Sequence, residues 1–165
     1  MRQINLSRDK TCVVDQIDYV YISTWKWSFL SSGYAVRQKR DRGKSSLILM
    51  HREITQRTLG RSLLPKEQVD HIDGDGLNNQ RANLRVCSHS QNLANGGPRA
   101  RNRSGYRGVC LDKTTGRWVA DLQVNRERYR LGRFSTARDA ALAWNVVALE
   151  KLGEFAYQNL VEAKP

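Results

Sequence analysis

The chain has 165 residues, and its 28 Lys and Arg against 16 Asp and Glu give a formal charge of +12 at pH 7. That balance attracts a polyanion, so nucleic acid is the expected partner. There is no apolar run long enough to cross a bilayer, no Lys-rich amphipathic helix with an aromatic face, and no apolar signal core in the opening MRQINLSRDKTCVV, which excludes a membrane protein and points to the cytoplasm.

The length allows one ordinary domain or two or three small modules, each only marginally stable alone. Cys12, Cys87 and Cys110 are far apart and form no CxxC, so neither a disulfide framework nor a four-cysteine zinc site is expected. Cys87-Ser88-His89 places two potential ligands together, but two more would be needed.

Short strands are expected at Thr11 to Val14, Lys26 to Leu30, Tyr34 to Gln38 and Ser46 to Met50, with Tyr34, Val36 and Gln38 alternating against Ala35, Arg37 and Lys39. Ile17, Tyr21 and Trp25 stand at helical spacing and predict one or two helical turns between Asp15 and Trp25. Trp25 and Trp27 are read as core, because large aromatics dominate the burial of small cores. Lys39, Arg40, Arg42 and Lys44 cluster at a hairpin tip and cannot pack inside; they are a solvated turn or a phosphate contact. His51-Arg52 opens a helix, HREITQRTL, closed by Gly60. His51 there is either a structural hydrogen-bonding group or a partner of phosphate or of a nearby site.

From Pro65 to Asn95 the pattern is strand, loop, strand, helix. Val69-Asp70-His71-Ile72 is followed by a Gly, Asp and Asn rich loop, Asn83-Leu84-Arg85-Val86 returns, and Ser88 caps a helix with Gln91, Asn92 and Asn95 that ends at Gly96-Gly97. Asp73, Asp75, Asn78 and Asn79 read mostly as turn formers. A calcium loop beginning at Asp73 fails, since Leu77, Asn78 and Leu84 occupy positions that need ligands or Gly. Phosphodiester cleavage requires a deprotonated water, compensation of charge on phosphorus and stabilisation of the leaving oxygen. A hard ion such as Mg²⁺ takes oxygen ligands and keeps positions open for phosphate and water, which one carboxylate and one amide carbonyl permit, and Asp70 and Asn92 fit. His71 titrates near neutrality and can take the proton from water.

With Asp70, His71, Asn83 and Asn92 in this order, the stretch resembles the HNH nucleases, in a His-Asn-Asn form similar to phage homing-type nickases. The resemblance implies a ββα hairpin clasping one Mg²⁺ or Mn²⁺ per site, with Asp70 and Asn92 holding the metal, His71 as general base and Asn83 orienting the histidine. HNH proteins of this phage-like type commonly carry a His-Arg pair upstream, as at His51-Arg52. A phage-encoded chain would act in the host cell cytoplasm.

Gly96 to Gly105, GGPRARNRSG, reads as a linker whose Arg99, Arg101 and Arg103 touch phosphates. Between Arg99 and Arg133 there are ten Lys or Arg and three acids. Strands are expected at Tyr106 to Leu111, Arg117 to Val124 and Arg128 to Phe134, with Asn125 to Glu127 in a turn. Trp118, Ala120, Leu122 and Val124 form one apolar face and Val119, Asp121 and Gln123 the other. Thr136 and Asp139 form a capping box for a helix on which Ala137, Ala141, Trp144, Ala148 and Leu152 recur until Gly153. The small alanines let that helix pack on the sheet, leaving a basic face able to enter a DNA major groove. YRGV, RWVADL, LGRF and DAALAWN resemble the ethylene-response-factor (Apetala-two) type of DNA-binding domain over Ser104 to Leu160. By position the resemblance places Arg107, Asp121, Gln123, Arg128, Arg130 and Arg133 at DNA. Cys110 and Arg130 depart from the plant pattern, so the plant target sequence does not carry over.

The expected fold is α+β: an N-terminal small-strand region with a ββα nuclease module in residues 1–95 (core 65–95), a basic linker at 96–105, and a three-stranded antiparallel sheet packed on one C-terminal helix at 106–165. The expected function is a metal-dependent, site-directed endonuclease acting on double-stranded DNA, a nickase of homing type. One site per chain favours a monomer over a dimer. The rivals are a catalytically inactive DNA-binding regulator and an RNA-binding protein.

Overall fold

The computed structural model describes residues 1–98, 100–124 and 126–161. The chain is a mixed α+β protein of two compact units, Met1–Asn92 and Leu93–Pro165.

In the first unit β1 (Arg2–Asn5) and β2 (Thr11–Val14) pair antiparallel and lead into α1 (Gln16–Ile22). A meander of β3 (Ser28–Leu30), β4 (Tyr34–Asp41) and β5 (Lys44–Leu49) runs straight into α2 (Met50–Leu59). The hairpin of β6 (Gln68–His71) and β7 (Leu84–Cys87) follows, and then α3 (His89–Asn95), whose last three residues belong to the second unit. One apolar cluster joins these pieces: Ile4, Val14, Ile22, Trp27, Met50 and Ile54 are buried in it, and Leu77 and Leu84 of the β6–β7 hairpin pack against it. Trp27 is core as its size demands, its indole Nε1 donating to the Ile22 carbonyl at 2.8 Å. Trp25 is half-buried, with the Arg37 guanidinium 4.3 Å above its ring.

The structure departs from the sequence expectation in several places. Strand β1 was not foreseen, and the buried face of α1 is not the one carrying Ile17: that residue is 69 % exposed, while Asp18 and Ile22 are fully buried. Asp18 tolerates burial because Arg81 grips both of its oxygens, Nε to Oδ2 at 2.6 Å and Nη2 to Oδ1 at 2.7 Å. The β4–β5 hairpin extends further than expected. It closes through Arg42 and Gly43, both at positive φ (46° and 78°), the conformation two-residue hairpin turns require. All of residues 38–47 are exposed, so both faces of this basic ribbon are bare.

In the second unit β8 (Val109–Asp112), β9 (Arg117–Val124) and β10 (Glu127–Phe134) form an antiparallel sheet in the order β10-β9-β8. Asn125, in the turn between the last two, lies outside the described residues. Helix α4 (Ala137–Leu152) begins at the expected capping box: Thr136 Oγ1 accepts from Asp139 N at 3.0 Å and donates to Asp139 Oδ2 at 2.7 Å. Ala140, Ala141, Trp144 and Ala148 bury against Ala120 and Leu122, with Trp118 and Val124 packed on the cluster, as the alternation of β9 requires. After α4 the chain returns through Asn159, whose amide bonds the Arg107 backbone on both sides, Oδ1 accepting from N at 2.6 Å and Nδ2 donating to O at 3.1 Å. No helix among the described residues is long and apolar enough to cross a membrane.

Gly108, at φ +72°, lies where a Cβ would collide with the Trp144 indole and come within 2.7 Å of the Asp121 carbonyl oxygen. Both the left-handed backbone and the packed ring oppose a side chain there. Gly108→Ala is expected to destabilise this unit by about 2–3 kcal/mol, read from its denaturant midpoint; a midpoint equal to wild type would refute the close packing.

Candidate active site

The β6–β7 hairpin is held open by its own polar loop. Asn83, at the end of a short 3-10 turn (Arg81–Asn83), accepts from the Asp73 backbone at 3.1 Å and donates to Asp73 Oδ1 and the Asn78 carbonyl, each at 2.8 Å. Burial opposes ionisation of Asp73, yet hydrogen bonds from Asn83, the Asp75 backbone and Asn78 hold its carboxyl below the usual range. The loop is also pinned to β2: Val13 N donates to Leu77 O at 2.9 Å and Asn79 N to Val13 O at 2.8 Å. Asn83 therefore staples the loop: its side-chain hydrogen bonds are to Asp73 and Asn78 of the loop.

The residue that meets His71 is Asn79. It is fully buried, its Oδ1 lies 3.4 Å from His71 Nε2, and its Nδ2 donates to Leu77 O at 3.2 Å. Because the amide nitrogen is committed to Leu77, the oxygen faces the imidazole, and Nε2 is the nitrogen that carries the proton. His71 is 5 % exposed; burial pushes its pKa below the ordinary value, against the raising influence of Asn79, Asp73, Asp70 and Asp75, so the ring is neutral at pH 7. Among turn-forming residues, Asn79 gave no sequence signal of this role.

Strand alternation sends Gln68 and Asp70 to one face of β6 and Val69 and His71 to the other, with His71 at the strand's end. Asp70 is opposite Arg85 in register, and its Oδ2 accepts from Arg85 Nη2 at 2.7 Å and Nε at 2.9 Å. Gln68 reaches across to α3, where Asn92 Nδ2 donates to Gln68 Oε1 at 2.8 Å. Ser88 and Gln91 start this helix with a reciprocal cap: Gln91 Oε1 accepts from Ser88 N at 2.8 Å and Ser88 Oγ from Gln91 N at 3.3 Å. No described residue donates to Asn92 Oδ1. A carboxylate and an amide oxygen thus approach the same face of the hairpin, a donor set that fits a hard divalent cation with positions left open. Zinc does not fit: burial, with Asp70 adding to it, pushes the Cys87 thiol up to about 11, and no group of three or more His, Cys, Asp or Glu suited to a metal occurs among the described residues.

On the second unit, Arg128, Arg130, Arg133 and Gln123 are exposed. Arg128 Nη2 pairs with Asp121 Oδ2 at 2.7 Å, and Arg133 approaches Asp112 at 3.4 Å. Asp121 Oδ1 is buried without a hydrogen-bond partner among the described residues. Arg101 and Arg103 are exposed; Arg99 lies outside the described residues. Arg107 is placed differently from the others. Its guanidinium donates to the carbonyls of Ala94 (2.7 Å), Leu93 (2.9 Å) and Gly96, and stands 5.6 Å from the Trp144 ring, so it is held by backbone and indole. Arg40 and Arg42 sit on the bare ribbon of the first unit.

The stapled loop, the buried histidine at the end of β6, and carboxylate and amide oxygens from β6 and α3 make up the candidate site. A family model for HNH endonuclease matches residues 49–94. The chain is 31 % identical over 141 residues to an uncharacterized HNH endonuclease of Acanthamoeba polyphaga mimivirus, covering 86 % of this chain and 70 % of that protein. The chain belongs to the HNH endonuclease family, whose members generally depend on a divalent metal ion. Its C-terminal part is similar to plant regulators: an ethylene-responsive transcription factor of Arabidopsis thaliana, 30 % identical over 61 % of this chain and 64 % of that protein, and a dehydration-responsive element-binding protein of Oryza sativa subsp. japonica, 44 % identical over 33 % of this chain and 18 % of that protein. No solved structure matches the chain significantly.

Proposed function

We propose that the chain is a metal-dependent, site-directed endonuclease that nicks double-stranded DNA, of homing type and acting as a monomer in the cytoplasm of a host cell. The observation that carries this reading is the hairpin that sets Asp70 and His71 side by side at the end of β6, with Asn79 Oδ1 3.4 Å from His71 Nε2 and Asn92 reaching Gln68 from α3. In the reaction the His71 imidazole takes the proton of the attacking water. Asp70 and Asn92 hold Mg²⁺ or Mn²⁺, Arg85 fixes the Asp70 carboxylate, and Gln68 fixes the Asn92 amide. An ion held there would supply positive charge to offset the charge that develops during phosphodiester cleavage. Asn83 keeps the loop in shape so that Asn79 stays against the imidazole.

The exposed basic face of the β8–β10 sheet supplies the address, through Gln123, Arg128, Arg130 and Arg133 with Asp121 setting Arg128, while Arg101, Arg103, Arg40 and Arg42 add phosphate contacts. Arg107 serves this surface by bracing the chain before the sheet. Incubation of supercoiled plasmid with the chain and Mg²⁺ or Mn²⁺ is expected to yield nicked circles. Retained DNA binding with no nicked or linear product across divalent metals would overturn the enzyme reading and leave a DNA-binding regulator. Replacing Arg128 and Arg130 together is expected to lower the slope of log affinity against log salt by roughly 1–2; an unchanged slope would remove both from the interface.

A further inference from the structure

The β4–β5 ribbon carries more than charge. From Gln38 to Leu47 it holds four cations and one acid, and every residue of it is exposed. The last side chain of β4 turned to the interior is Arg37, whose guanidinium pairs with Glu53 at 2.9 Å. Beyond it the two strands run on in unbroken register, Gln38 opposite Leu47, Lys39 opposite Ser46, Arg40 opposite Ser45 and Asp41 opposite Lys44. No core calls for this length, and a bare two-stranded hairpin adds little stability of its own.

Residues opposite one another share a face, and successive ones alternate. Gln38 and Leu47 therefore stand side by side, on the face that two residues further in carries Val36 and Leu49. Val36 is buried there, whereas Leu47 lies past that packing and is 59 % exposed. Cations along a ribbon keep its edges from pairing with another sheet, but that role needs neither an amide nor a bare leucine. The pair has a match in DNA. In the major groove, which admits a two-stranded ribbon, adenine presents N7 as acceptor and N6 as donor, suited to a Gln amide, and its thymine partner presents a methyl group suited to an apolar side chain. From Gln38 to the turn is roughly 14 Å, the length of about four base steps.

We propose that this ribbon lies in the major groove and reads an A·T pair, Gln38 taking the adenine edge and Leu47 the thymine methyl, with Lys39, Arg40, Arg42 and Lys44 on the flanking phosphates. This rests on the reading of the chain as a duplex-DNA nuclease and deepens it: the first unit has an address of its own, in addition to that of the β8–β10 sheet.

The probe is duplex DNA selected from a random-sequence pool by binding to the full chain. Wild type is expected to select an A·T pair whose preference is lost in both Gln38→Ala and Leu47→Ala, at the same position or the next, with preferences elsewhere kept. On the selected duplex Gln38→Ala is expected to weaken binding about 5–100-fold, the range of one bidentate base contact, at an unchanged salt slope. An adenine analogue lacking N7 should weaken wild type but not Gln38→Ala; uracil in place of thymine should weaken wild type but not Leu47→Ala. Lys39→Ala with Lys44→Ala is expected to weaken binding to every sequence alike and to lower the slope of log affinity against log salt by roughly 1–2. Melting temperatures should stay at the wild-type value, since all four residues are exposed. Unchanged preferences in Gln38→Ala and Leu47→Ala, a loss equal on all sequences in either, base analogues that weaken the variants as much as wild type, or a fall in melting temperature that tracks the loss would each overturn the proposal. Wild type that binds but never nicks would overturn the nuclease reading alone, because every readout here is binding. Wild type that binds no duplex would overturn both.

Discussion

His71→Ala is expected to lower the rate of nicking at saturating DNA by about 10²–10⁴-fold, the range a general base supplies, while leaving DNA affinity within twofold. The reasoning is local. His71 is buried and neutral, its Nε2 is turned to Asn79, and the basic residues proposed to grip DNA lie on other elements. Removing the imidazole takes away the proton acceptor without touching the cationic surfaces. Gel-based cleavage under single-turnover conditions together with fluorescence anisotropy separates the two quantities. Cleavage at the wild-type rate would place the base elsewhere; a parallel collapse of affinity would mean that the ring organises DNA contacts.

Arg81→Ala is expected to destabilise the first unit by about 3–4 kcal/mol, because it strands the fully buried Asp18 without its counter-charge. The lower part of the range seen for broken buried pairs applies because the Arg81 side chain is itself a third exposed. For a unit of this size the loss corresponds to a fall in melting temperature of more than about 10 °C. Asp15 adds to the effect, since its Oδ2 accepts from Arg81 N at 2.7 Å and so ties the start of α1 to the turn that carries Asn83. Circular dichroism melts of Arg81→Ala and of the double variant Asp18→Leu with Arg81→Leu give the answer. The double variant should recover much of the loss, because it leaves no charge behind. A change below about 1 kcal/mol in Arg81→Ala would mean that Asp18 finds water or another partner.

The hairpin was legible because its local chemistry is complete in the sequence. Alternation set β6 and β7, the Asp, Gly and Asn run announced the loop, and Ser88 with Gln91 announced α3. The β9 alternation and the Thr136 cap did the same for the second unit. What escaped is what depends on distant partners. Nothing local marks Asp18 for burial, since its partner is 63 positions away. Asn79 looked like a turn former, and its bond to His71 exists only because β2 holds its backbone. Arg107 was assigned to DNA by resemblance, whereas its guanidinium lies on three carbonyls just before the second unit's sheet.

The hydrogen bonds between Val13 and the loop at Leu77 and Asn79 bear on how this cutting module could be exchanged between proteins. The stretch that matches the HNH family starts at residue 49, yet the strand that steadies its loop lies at Thr11–Val14. A graft of residues 49–94 alone would carry Asp70, His71, Asn83 and Asn92 but leave Asn79 without its backbone anchor and Arg81 without Asp18. The anchors of the loop lie at Val13 and Asp18 as well as in the matched stretch, and a chimera built on the shorter boundary would inherit the motif without the geometry.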